Sequence, residues 1–102
     1  MLTLKPNCES CDKDLPVNST ESMICTYECT FCRKCVEEIL LNVCPNCGGG
    51  FVLRPIRPQL ARRPGVSAEH QPPSTERVIT KYSIDELREF SSAVKHIKPE
   101  DR

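Results

Sequence analysis

The stretch that decides the fold runs from Cys8 to Cys47: CESCDKDLPVNSTESMICTYECTFCRKCVEEILLNVCPNC. It holds all eight cysteines of a 102-residue chain. They stand at Cys8, Cys11, Cys25, Cys29, Cys32, Cys35, Cys44 and Cys47, in the pattern C-x2-C-x13-C-x3-C-x2-C-x2-C-x8-C-x2-C. Structural zinc is tetrahedral and takes Cys or His ligands, and a C-x2-C loop presents two thiolates to one ion. Eight cysteines make two four-sulfur sites with nothing left over, so the stretch reads as a binder of two Zn2+ ions. Sets of four cysteines also suit iron–sulfur clusters. A disulfide framework is the competing reading for a small secreted domain. Two features oppose it. The opening MLTLKPNCES lacks the apolar segment of an export signal, which predicts a cytoplasmic protein. Pairs two residues apart also serve as metal knuckles or redox pairs more often than as long-range staples.

Two ways of sharing the ligands are open. Sequential pairing puts Cys8, Cys11, Cys25 and Cys29 on one ion. Interleaved pairing puts Cys8, Cys11, Cys32 and Cys35 on the first, and Cys25, Cys29, Cys44 and Cys47 on the second. Interleaving is the favoured expectation. CRKCVEEILLNV reads as a short helix opened by Cys32 and Cys35, with Val36, Ile39 and Leu40 on one face, and a helix start favours thiolates. Residues 22–31 read as a hairpin that carries Cys25 and Cys29, and FVLR as a last strand. Pro45 stiffens the last knuckle. Gly48, just after it, permits the positive φ that turns backbone N–H groups toward sulfur.

The order, spacing and C-P-N-C ending resemble a RING-type cross-brace, a treble-clef fold, with Cys29 where that family commonly has His. More closely, PNCESCDKDLP, MICTYECTFCRKC and VCPNCGG, followed by an Arg-Pro tail, resemble a family of small bacterial cysteine-rich proteins known as a domain of unknown function. That resemblance covers about residues 4–57 and implies a fold rather than an activity. The RING likeness implies ubiquitin-ligase activity, and three positions argue against it. Ligases of that type carry an apolar residue after the first ligand, a basic one after the last, and a Trp between the sixth and seventh. This chain has Glu9, Gly48 and no Trp.

Outward from the cysteines the composition changes. Residues 54–75 hold five of the nine prolines and four arginines, which predicts a disordered, basic, Pro-rich linker. Residues 76–102 regain a pattern. Ser83 and Glu86 form a capping box, and Ile84, Leu87, Phe90, Val94 and Ile97 draw one apolar stripe, predicting an amphipathic helix over about 84–98. A lone helix of that length is marginal in water. It is expected either to dock on the cysteine module or to serve another partner, a second copy included. No apolar run approaches the ~20 residues of a membrane span.

The formal charge is zero, with 14 basic and 14 acidic side chains, but it is divided. Residues 1–53 carry four basic groups against seven acids, and residues 54–102 ten against seven. Two four-thiolate zinc sites would take the first half to about −7. Such a surface repels phosphate, so nucleic-acid binding is disfavoured. Catalysis has little to stand on. Eight thiolates close both sites, whereas a catalytic zinc keeps an open position. His70 and His96 are not needed as ligands, and no catalytic or cofactor-binding residue is expected. The expected architecture is a small metal-stabilised α+β protein. A RING-like treble-clef module over 1–53 precedes the linker and the C-terminal helix. The expected function is a non-catalytic, zinc-binding protein-interaction adaptor. A zinc-linked thiol sensor is the alternative, and a ubiquitin ligase or a nucleic-acid-binding zinc protein ranks lower.

Overall fold

The chain enters its first regular structure where MICTYE alternates, and it turns back through Cys25 to Cys29. The computed structural model describes residues 1–102. β1 (Ser22–Ile24) pairs antiparallel with β2 (Thr30–Cys32), with Met23 opposite Phe31. β3 (Val52–Leu53) pairs with the other edge of β1, so the sheet order is β2-β1-β3. From β2 the chain passes straight into α1 (Arg33–Cys35), which widens into a π-helical turn at Val36–Leu40. Leu41 and Asn42 end it in the left-handed region, at φ 50° and 61°. That conformation is unfavourable for leucine. The fully buried Leu40 and Val43 on either side hold it. The Asn42 side-chain oxygen accepts from the Phe51 N–H at 2.9 Å, tying the helix end to the approach of β3.

One cluster of twelve buried residues forms the core, and six of them are cysteines. Leu15, Phe31, Val36, Leu40, Phe51 and Leu87 supply the carbon. Phe31 and Phe51 meet edge to face, with centroids 5.5 Å apart. Sulfur therefore fills much of the interior of a module too short to build a larger apolar one. Tyr27 and Leu53, apolar residues of the module, lie at the surface, whereas Leu4 and Val43 are buried.

The Pro-rich composition predicts a disordered linker over 54–75, and the structure corrects this. The segment is a strap laid back over the N-terminal residues. Arg54 is buried and donates to the carbonyls of Lys5, Leu15 and Pro16. Arg57 donates to those of Gln71 and Leu2, and Ser74 N–H to that of Leu4. The physical reason lies in the first segment. It is not in a sheet, so its carbonyls lack ladder partners, and a buried carbonyl must be paired. The arginines that composition assigns to solvent supply those donors.

The strap leads into α2 (Ile84–Val94), shorter than the expected 84–98, followed by a 3-10 turn at Pro99–Asp101. The capping box forms in full: Ser83 Oγ accepts from Glu86 N–H, and Glu86 Oε1 from Ser83 N–H. The helix docks on the module. Leu87 and Ser91 are buried, and it packs on the π-helical turn. Ser91 donates to its own Leu87 carbonyl, which lets a small polar side chain sit in the contact. The rest of the stripe is only partly used, since Ile84, Phe90 and Ile97 stay exposed. No helix is long and apolar enough to cross a membrane.

Candidate metal centre

Two C-x2-C knuckles carry the first and last cysteine pairs, and they are the same turn built twice. Asp12 follows Cys11 and Gly48 follows Cys47, both left-handed at φ 62° and 78°. The N–H of each donates to the carbonyl of the first cysteine of its knuckle, at 2.9 Å for Asp12 to Cys8 and 2.7 Å for Gly48 to Cys44. The first cysteine's N–H then donates to the residue five further on, Cys8 to Lys13 and Cys44 to Gly49, both at 2.8 Å. The Cys25–Cys29 turn is one residue longer and uses a left-handed Glu28. In all three turns an N–H faces sulfur: Cys11 to Cys8 Sγ at 3.5 Å, Tyr27 to Cys25 Sγ at 3.3 Å, Gly49 to Cys47 Sγ at 3.4 Å.

The sulfurs of Cys8, Cys11, Cys32 and Cys35 all lie within 4.8 Å of one another. The first knuckle supplies two of them, and the passage from β2 into α1 supplies the others. Cys25, Cys44 and Cys47 form a second set with the same spacing. Cys29 stands outside that set of three. Its thiol interacts with those of Cys25 and Cys44 and accepts from the Asn46 side-chain amide at 3.3 Å. Each cluster has one exposed member, Cys11 in the first and Cys47 in the second. Neither His70 nor His96 belongs to a cluster. Both clusters could hold a metal ion.

The thiols perturb one another as a crowded, partly dehydrated set must. A hydrogen bond from Cys35 holds Cys8 as a thiolate down to about 4, against the opposing effect of burial, and backbone N–H groups assist. The same bond keeps the proton on Cys35, pushed well above the ordinary thiol range, with burial adding to it. Burial also pushes Cys32, Cys29 and Cys44 upward, with the Asn46 amide opposing it at Cys29. Four thiols that cannot all ionise together are what a divalent cation relieves.

Several residues that build this centre escape a reading of cysteine spacing. Glu9 is buried rather than displayed. Its carboxylate accepts from Thr30 N–H and pairs with Lys5 at 3.2 Å, and its own N–H donates to the Thr30 carbonyl at 2.9 Å. Asn7, fully buried, donates to the Cys8 and Val78 carbonyls and accepts from Val78 N–H. Thr80 N–H donates to the Glu9 carbonyl at 2.7 Å. The second half of the chain therefore closes over the first knuckle. The one signal in the sequence is the left-handed position after each knuckle, Asp12 and Gly48.

A small α+β protein with a three-stranded sheet, two helices and two cysteine clusters suited to metal binding is the class these observations define. Residues 1–57 match the family described as protein of unknown function (DUF1272), and the chain belongs to that family. It is also similar to the uncharacterized protein R02474 of Rhizobium meliloti (strain 1021), at 52% identity over 79 residues, 78% of this chain and 87% of that protein. No solved structure matches the chain.

Proposed function

We propose that this protein is a non-catalytic interaction adaptor whose fold is held by two zinc ions. The first is bound by Cys8, Cys11, Cys32 and Cys35, and the second by Cys25, Cys29, Cys44 and Cys47, with Cys29 drawn in from its Asn46 contact. The observation that carries the reading is the first cluster. Its Cys11 and Cys32 sulfurs are 3.8 Å apart, and the edge of a tetrahedron with ~2.3 Å zinc–sulfur bonds is about 3.8 Å. The all-sulfur donor set suits a soft, closed, structural site and leaves no coordination position for a substrate. The cross-braced order of the pairs agrees with a RING-like treble clef.

The adaptor half of the proposal is supported by the surface. An open, largely apolar groove of about 390 Å³ lies between the second knuckle and α2, and Pro45, Tyr82, Leu87, Phe90 and Ala93 line it together with Glu86 and Glu89. A partner side chain fits such a groove better than a nucleic acid does, because Arg54, Arg57 and Arg77 are spent on contacts within the chain. One feature favours the thiol-sensor alternative: exposed Cys11 lies beside Cys32. A hydroperoxide oxidising Cys11 to a sulfenic acid, with release of hydroxide or alcohol, would let the Cys32 thiol expel water and form a disulfide. The two sulfurs thereby give up two electrons and the metal is released.

One experiment separates the readings. The zinc-loaded chain is used as bait with and without Phe90→Asp, and zinc is followed during a hydroperoxide titration. Capture of a defined protein that Phe90→Asp and chelator both abolish, with zinc retained at low peroxide, is the adaptor result. Zinc loss at stoichiometric peroxide contradicts it in favour of the sensor.

A further inference from the structure

Each knuckle turn is gripped from outside by an arginine of the second half of the chain. Arg77 Nη2 donates to the Asp12 carbonyl at 2.8 Å and to Asp12 Oδ1 at 2.9 Å, while Nη1 pairs with Asp14 at 2.8 Å. Arg102 Nη1 donates to the Gly48 carbonyl at 3.2 Å and to the Asn42 carbonyl at 2.8 Å, and its Nε to the Ile97 carbonyl at 2.9 Å. Both arginines take the same atom of the repeated turn: the carbonyl of the left-handed residue directly after the second cysteine. That second cysteine, Cys11 or Cys47, is the exposed member of its cluster.

Ligand loss from a four-sulfur site starts at the sulfur that water and a competing ligand can reach. For Cys11 or Cys47 to swing away, its turn must open, and the peptide beside it is the one the arginine holds. We propose that Arg77 and Arg102 are metal-retention clasps, one for each site, through which the second half of the chain controls metal release from the first. The inference rests on the reading of the two clusters as metal sites. Arg77 is held in place beforehand, because Val78 pairs with Asn7 and Thr80 with Glu9 on either side of the knuckle. Linkage makes the effect reciprocal: whatever the clasp adds to metal affinity, bound metal adds to docking of the clasp. The residues that complete the device lie at 77 and 102, beyond the 57 residues of the family match.

The test uses the full chain loaded with cadmium-113, each site giving its own resonance, assigned through its couplings to the β-protons of the ligating cysteines. Excess EDTA is added and the two signals are followed. Arg77→Ala speeds loss of the first-site signal roughly three- to ten-fold, the scale of a charge-assisted but exposed contact, and leaves the second unchanged. Arg102→Ala does the reverse. Arg77→Lys, which keeps the charge without the fork, gives an intermediate rate. Asp12→Asn, which tolerates the left-handed turn, weakens the clasp even if Arg77→Ala folds poorly. Added salt narrows the Arg77 effect, which contains ion pairs, more than the Arg102 effect, which contains only carbonyl contacts. Equal acceleration at both sites in each variant shows a general loss of stability and overturns the proposal, as does no acceleration in any variant. A wild-type chain that takes up no cadmium overturns the metal reading itself and the clasps with it.

Discussion

The two cysteine clusters begin from identical knuckles and are completed differently. The first gathers all four of its sulfurs, because the passage from β2 into α1 fixes Cys32 and Cys35 on a rigid backbone facing the Cys8 knuckle. The second draws its other pair from the longer Cys25–Cys29 turn, and Cys29 rests on Asn46 outside the set of three. Two cysteines placed three apart at a helix start arrive together, whereas the longer turn brings only one of its pair into the set. The first set is already gathered, and under the proposed metal binding the second would be completed by the ion that enters it.

Breaking one sulfur in each cluster gives the largest expected contrast. Cys8→Ser removes the buried thiolate on which the first set is centred. It is expected to abolish one metal site and unfold the module, since a structural zinc contributes an apparent ~10–16 kcal/mol. Cys29→Ser is expected to leave both ions bound at neutral pH and to lose the second at low chelator. Metal stoichiometry by native mass spectrometry reads both. Equal loss from the two variants would remove the asymmetry.

A smaller effect tests the strap. Arg54→Ala strips donors from the carbonyls of Lys5, Leu15 and Pro16 and is expected to cost about 2–4 kcal/mol. Denaturant unfolding of the zinc-loaded chain measures it. A cost below ~0.5 kcal/mol would return residues 54–75 to the status of a free linker.

Acid sharpens the comparison further. In the first set Cys8 is depressed to about 4, while Cys32 and Cys35 are raised. In the second set burial raises Cys29 and Cys44. Protons therefore compete for sulfur in both sets as the pH falls from 7, and the second site, whose Cys29 stands outside the gathered set, is expected to empty before the first. A metal-sensitive dye during an acid titration should show two steps. A single step, or loss from the first site first, would contradict the assignment. Smallest is Ser83→Ala, which removes half of the capping box and is expected to cost ~1 kcal/mol. Its effect should appear as faster hydrogen exchange in α2 with both metals retained.

What the sequence displays and what it hides follow from how each part is held. The knuckles, the hairpin, the helix at Cys32 and the capping box are local, and each is written in spacing or in a cap three residues away. The strap is not local. It is held by Arg54, Arg57 and Arg77 on carbonyls far along the chain, by Asn7 imitating a strand edge for Val78, and by Thr80 on Glu9. Nothing in the composition of an Arg- and Pro-rich segment distinguishes an arginine that faces water from one that reaches a carbonyl. The helix stripe had two possible destinations, and Leu87 with Ser91 settles it on the module. Tyr27, apolar in the sequence but 74% exposed, is displaced outward by its place in the turn between Cys25 and Cys29.

Metal content joined to fold is the decisive measurement. The chain is purified under reducing conditions, weighed by native mass spectrometry, and followed by hydrogen exchange while chelator is added. Two zinc ions per chain are expected, with protection over residues 8–53 lost cooperatively as they are removed and the strap and α2 released with them. A chain that weighs as four disulfides without metal, or one that keeps its protection after complete chelation, would contradict that expectation.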